Sequence, residues 1–228
     1  MVLTILGCQG AYPAEHGGNS CYLVSDGKQN VLLDMGSGAI AALHESGIVP
    51  GAVILSHLHG DHTSDAGVYR YFLNMNKRRC DLWMPDDGSP ERSVLNVAPY
   101  NVNRITDDTS AVYGEMIFTF FPVTHPGQCY GVTIMSGGKK LVYSGDSRMC
   151  QSLAENAAGA DILLLDCAVP AKNHTDATPH MNTSEGVALW KSSGARALII
   201  THLMPGMPVD QNEAAGAIIA HRGMEIEI

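Results

Sequence analysis

The stretch VILSHLHGDH, residues 53–62, leaves few folds open to the chain that carries it. Val53, Ile54 and Leu55 form an apolar run of the kind that makes a buried strand. Directly after it the chain crowds His57, His59, Asp61 and His62. Four nitrogen and oxygen donors at the exit of a buried strand suit a layered fold whose strand ends carry chemistry. Neutral imidazole and carboxylate are ligands for zinc, and also for iron or manganese. Adjacent residues do not all reach one ion easily, whereas two pairs completed by distant ligands make a two-metal site with ions ~3.5–4 Å apart. The plainer alternative is a polar turn with surface histidines.

The same arrangement recurs along the chain. Asp34, His125, Asp146, Asp166 and His202 each follow an apolar run. The apolar pattern predicts a strand over 2–6, then a Gly- and Pro-rich loop from Gly7 to Asn19. A hairpin follows, turning at Asp26 and Gly27. A short helix capped by Ser37 and stopped by Gly47, a strand over 52–56, and a helix over much of 63–77 are expected next. A strand near LWMP and a helix from SPERSVL come next, then three strands over 115–146. Helices in LAENAAG, TSEGVALWKSSG and NEAAGAIIAH alternate with strands in DILLLD and RALIITH, which is the βαβα manner of an α/β fold.

Composition narrows the partners. The formal charge of -9 argues against a broad electrostatic footprint for nucleic acid or an anionic membrane. The six cysteines are scattered, without a Cys-x-x-Cys pair. No stretch approaches the ~20 apolar residues of a membrane span. These features lead to the expectation of a cytoplasmic protein with reduced thiols and no membrane partner.

SHLHGDH matches the His-x-His-x-Asp-His signature of the metallo-β-lactamase superfamily. VTHP with His125, YSGD with Asp146 and ITHL with His202 follow in that superfamily's order. LGCQGAYP, GGNS, LLDMGSG, HPGQCYGVTI and LLLDCA make the chain most similar to the ribonuclease Z branch and its small bacterial relatives. The resemblance runs nearly end to end and implies one domain over 1–228, folded as a four-layer αββα sandwich. It implies that His57, His59 and His125 hold one divalent metal ion and that Asp61, His62 and His202 hold the other, with Asp146 bridging. Zinc is the first expectation, Mn2+ or Fe2+ the alternatives. Asp61 would also orient the nucleophilic water or hydroxide between the ions. Asp34 is either a partner that sets the tautomer of a ligand histidine or a helix-capping carboxylate.

His180, in PHMN, falls where ribonuclease Z relatives carry a histidine that assists the leaving group. Asp166 stands where that branch often has a glutamate. Together they resemble a carboxylate–imidazole pair acting as general acid. His-Met-Asn replaces the branch's His-Ser-Thr, and Asp replaces its Glu. The implied activity is hydrolysis of a phosphodiester. A lactonase or thioesterase on the same fold is the alternative, and a metal-holding protein without turnover is a second. His59 speaks against the diiron oxidoreductases, which have Glu there. True ribonuclease Z inserts a tRNA-binding arm between the motifs of His125 and Asp146, and only 21 positions separate those residues here. A small or short phosphodiester is therefore expected rather than folded tRNA. A homodimer is implied by the resemblance alone.

Overall fold

The computed structural model describes residues 1–14 and 16–228. Its first half runs β1 (Val2–Gly7), β2 (Cys21–Ser25), β3 (Asn30–Leu33), α1 (Ala39–Ser46), β4 (Ala52–Ile54), α2 (Gly60–Met75), β5 (Cys80–Met84), α3 (Pro90–Leu95) and β6 (Tyr100–Arg104). The second half runs β7 (Ser110–Tyr113), β8 (Met116–Pro122), β9 (Tyr130–Ser136), β10 (Lys139–Tyr143), α4 (Gln151–Ala157) and β11 (Ile162–Asp166). A 3-10 turn over Ala171–Asn173 leads to α5 (Thr183–Ser193), β12 (Ala197–Thr201), α6 (Gln211–Ala214), β13 (Ile218–Ile219) and β14 (Glu225–Glu227).

Two seven-stranded sheets result, ordered β14-β1-β2-β3-β4-β5-β6 and β13-β12-β11-β10-β9-β8-β7. Each is mixed. In the first, antiparallel pairing gives way to parallel pairing between β3 and β4. In the second, the change falls at β10, antiparallel to β9 and parallel to β11. Side-chain alternation explains the layering. Ala52 and Ile54 of β4, with Ile162, Leu164 and Ile199 of the other sheet, face the core between the sheets. Val53 and Leu55 face α1 and α2, packing on Ala42, Leu43, Ala66 and Leu73. Leu163, Leu165, Leu198 and Ile200 face Leu153 of α4 and Val187 and Leu189 of α5. Three apolar interfaces separate four layers, so the αββα sandwich expected from the sequence is the observed architecture.

Several local expectations are corrected. Gly38, not Ser37, is the N-cap of α1, and it makes no side-chain cap bond. Asp65 of α2 supplies the carboxylate instead, accepting the Ile40 N–H at 2.8 Å. The helix expected within NEAAGAIIAH shrinks to Gln211–Ala214. Ala215 (φ 51°) and Gly216 (φ 90°) turn left-handed, and Ile218 and Ile219 then pair with β12 as a strand. Local propensity there yields to an open sheet edge. β6, β7 and β14 lie outside the sequence reading; β14 and β7 are edge strands, and β6 is the opposite edge of the first sheet. Strand β4 ends at Ile54, two residues early, and α2 starts at Gly60, three residues early.

The interval between His125 and Asp146 is filled by β9, the Gly137–Gly138 turn and β10. Residues 76–79, NKRR, connect the end of α2, about 24 Å from its start, to β5. Among the described residues, no helix is long and apolar enough to cross a membrane.

Candidate metal centre

The parallel strands deliver their exits to one rim. Asp34 follows β3, Ser56 and His57 follow β4, Asp146 follows β10, Asp166 ends β11 and His202 follows β12. His57 and His59 lie beyond the end of β4. They meet in a loop, with ring centroids 4.5 Å apart. His59 is then the N-cap of α2, so Asp61 and His62 occupy its first turn. There a carboxylate gains from the helix dipole.

All seven residues expected to hold metal come together. Potential ligand atoms of His57, His59 and His125 lie within 4.8 Å of one another, and so do those of Asp61, His62, Asp146 and His202. Asp146 is central. Its Oδ1 lies 3.2 Å from His62 Nε2; its Oδ2 lies 3.3 Å from His202 Nε2 and 3.8 Å from Nε2 of both His57 and His125. Burial alone would raise this carboxyl's pKa, but the neighbouring His202 and His62 hold it well below the usual range. Burial holds His57 well below the ordinary imidazole range, which keeps its ring neutral.

The tautomers follow from the surrounding hydrogen bonds. Asp34, fully buried, accepts four: from Ser56 N–H at 2.7 Å, Ser56 Oγ at 2.8 Å, Tyr143 OH at 2.6 Å and His62 Nδ1 at 2.7 Å. With Nδ1 donating to Asp34, Nε2 is the His62 nitrogen that faces Asp146. Ser56 Oγ has spent its proton on Asp34, so it accepts from His57 Nδ1 at 3.1 Å and frees His57 Nε2 in the same way. The Pro179 carbonyl accepts from His125 Nδ1 at 3.3 Å, and His125 Nε2 lies 3.1 Å from His59 Nδ1.

These freed atoms test whether the site fits a cation. Among the described residues, the buried His57 Nε2, His62 Nε2 and Asp146 Oδ1 have no hydrogen-bond partner. A buried polar atom left unpaired costs ~1–3 kcal/mol. Ring lone pairs and a carboxylate oxygen turned inward together are a donor set that a divalent ion would satisfy. The residues fit the group.

Asp166 and His180 adjoin this cluster. Asp166 Oδ2 accepts from His180 Nδ1 at 2.7 Å and from Ser147 N–H at 3.1 Å. The His180 ring stacks 4.8 Å from that of His202. Burial disfavours its charge, but Asp166 raises its pKa above the ordinary value. Met181 N–H bonds to Ser147 O at 2.9 Å and His174 Nε2 donates to His180 O at 3.0 Å, pinning this loop. The Asn182–Glu185 capping box starts α5 just beyond it.

Ser56, Tyr143 and Gly10 escaped the sequence reading. Ser56 and Tyr143 do carry a signal, one beside His57 and the other three positions before Asp146. Gly10 carries none: a Cβ there would fall 2.0 Å from the His202 ring, a closeness only the tertiary fold creates.

A family model described as a beta-lactamase superfamily domain matches residues 29–203. A relative named probable metallo-hydrolase YhfI, from Bacillus subtilis, is 30% identical over 214 residues, covering 89% of this chain and 87% of that protein. The crystal structure of YhfI superposes with TM-score 0.89 at 28% identity, over 99% of this chain and 98% of that one. A Mycobacterium bovis ribonuclease Z is 25% identical over 257 residues, covering 96% and 91% of the two chains. The short form of human tRNase Z has the same fold, with TM-score 0.82 at 19% identity, over 100% of this chain and 99% of that one. With the inward-turned histidines and the matched family model in agreement, the chain belongs to the beta-lactamase superfamily, among its metallo-hydrolases.

Proposed function

We propose that this protein is a dinuclear zinc-class phosphodiesterase acting on a small or short phosphodiester. The observation that carries the reading is the Asp166–His180 pair, a carboxylate-held imidazole beside two clusters of ligand type. Divalent ions held by His57, His59 and His125 and by Asp61, His62 and His202, with Asp146 between them, would supply Lewis-acid charge to a phosphoryl group and acidify an attacking water.

The chain's own groups do the remaining work. Asp61 Oδ2 lies 3.2 Å from His202 Nε2, which leaves Oδ1 to orient the water. His180, charged, donates its Nε2 proton to the departing alkoxide, and Asp166 stabilises that charge and fixes the ring. Asp34 holds His62 through Nδ1, so that Nε2 is the nitrogen a metal would meet. A thiolate leaves without a proton, so a built general acid favours an oxygen leaving group over a thioester. The ribonuclease Z relative supports phosphodiester chemistry. The short β9–β10 hairpin and the charge of -9 support a small substrate over folded RNA.

Metal analysis of zinc-loaded protein should return about two ions per chain. His180→Ala should lower turnover of phosphodiesters with alkoxide leaving groups ~10²–10⁴-fold, with metal content unchanged. Lactone or thioester hydrolysis without phosphodiester cleavage would overturn the proposal. So would full metal loading without any turnover, the behaviour of a metal-holding protein.

A further inference from the structure

Beside the first histidine cluster opens a cavity of about 300 Å³. His57, His59, Asp87, Ser89, Glu91 and Gln128 are among the residues that line it. His57 brings to it a buried ring whose Nε2 has no partner among the described residues. The acidic residues of the lining are uncompensated. Arg92, next to Glu91 in sequence, turns its Nε to Asp86 Oδ1, and Arg104 Nε lies 3.8 Å from Asp86 Oδ2. Among the described residues, neither Asp87 nor Glu91 has a salt-bridge partner, and no Lys or Arg lines the cavity. Asp87 Oδ1 accepts the Ser89 N–H at 2.9 Å, which orients the carboxylate and leaves Oδ2 available.

A phosphodiester has one negative charge, and the metal centre answers it. A wall of free carboxylates next to that centre repels a second phosphate and accepts hydrogen bonds from hydroxyls. Carboxylates grip ribose hydroxyls in this way in nucleotide-binding folds. The size agrees, since about 300 Å³ is the lower end of ligand pockets. Glu91 also borders a second cavity of about 240 Å³, whose lining includes Gly67, Pro90 and Val94. A sugar held at Glu91 would extend its attached ring over that more apolar surface.

Resting on the phosphodiesterase reading, we propose that this cavity takes the hydroxylated, ribose-type side of the substrate through Asp87 and Glu91. It excludes substrates that continue there with further phosphates.

The test compares two chromogenic diesters, the p-nitrophenyl ester of uridine 5′-phosphate and bis(p-nitrophenyl) phosphate, on the zinc-loaded protein. Each carboxylate–hydroxyl bond is worth a factor of ~10. In Asp87→Asn/Glu91→Gln the preference for the uridine ester should therefore fall ~10–100-fold, mainly through KM. A uridine ester bearing an added 3′-phosphate should become a better substrate in the same variant. An unchanged preference, or a 3′-phosphate ester that gains nothing, overturns the proposal. If neither diester is cleaved, the phosphodiesterase reading fails, yet the cavity remains testable by titrating neutral uridine and following NMR shifts. Uridine binding that the double variant weakens supports the hydroxyl site; no binding, or equal binding, overturns it.

Discussion

Two carboxylate–imidazole pairs serve this rim, one from each sheet, and both bonds measure 2.7 Å. Asp34–His62 is sealed: neither side chain has any solvent exposure, and Asp34 accepts four bonds from protein donors. Asp166–His180 is open on one side. The His180 side chain is 12% exposed. Asp166 Oδ1 has no hydrogen-bond partner among the described residues and lies 3.5 Å from His202 Nδ1. Equal bonds therefore do not imply equal roles. A ring locked on every side keeps one tautomer and suits a fixed ligand. A ring held at one nitrogen, with room at the other, suits proton transfer.

The sharpest way to break this comparison is to delete each carboxylate. Asp34→Ala strands Ser56, Tyr143 and His62 in a dry interior and should cost ~3–5 kcal/mol of stability, with loss of zinc uptake. Asp166→Ala leaves the Ser147 N–H and a partly exposed ring, and should cost only ~1–3 kcal/mol. Urea denaturation of the two variants checks the order; equal losses would erase the distinction drawn between the pairs. Tyr143→Phe removes one of the four donors to Asp34 and should weaken zinc affinity ~10-fold in a chelator competition. Retained affinity would mean the other three donors suffice.

The smallest effect belongs to a carboxylate at the hairpin turns, away from both pairs. Asp26 accepts the backbone N–H groups of Glu115, Gln29 and Lys28, and these bonds hold its pKa at about 2. A pKa depressed on folding stabilises above the unfolded value near 4. That contribution disappears as pH falls toward about 2. Asp26→Asn should therefore flatten the loss of stability between pH 4 and 2 slightly and leave zinc uptake alone. Urea midpoints across that range would show it.

Much of the fold was legible because a short apolar run is a local signal. Val53 and Leu55 against Ile54, and Leu163 and Leu165 against Leu164, read as strands buried on both faces, and the structure buries them so. The expected helix around NEAAGAIIAH failed for a non-local reason. Ala215 and Gly216 take left-handed conformations while Ile218 and Ile219 complete a sheet edge built by β12. No window of sequence contains that partner.

The site divides along the same line. The order and chemical type of the seven ligand-type residues were set by the chain itself, since the spacing of His57, His59, Asp61 and His62 and the apolar run before each later member are written along it. What the tertiary structure alone decided is which nitrogen of each ring faces inward. Ser56 and Tyr143 reach Asp34 across 22 and 109 positions, and Gly10 lies against His202. A tautomer is set by a hydrogen-bond partner; Ser56 meets Asp34 only once β3 and β4 have paired, and Tyr143 meets it only once the two sheets have closed on each other.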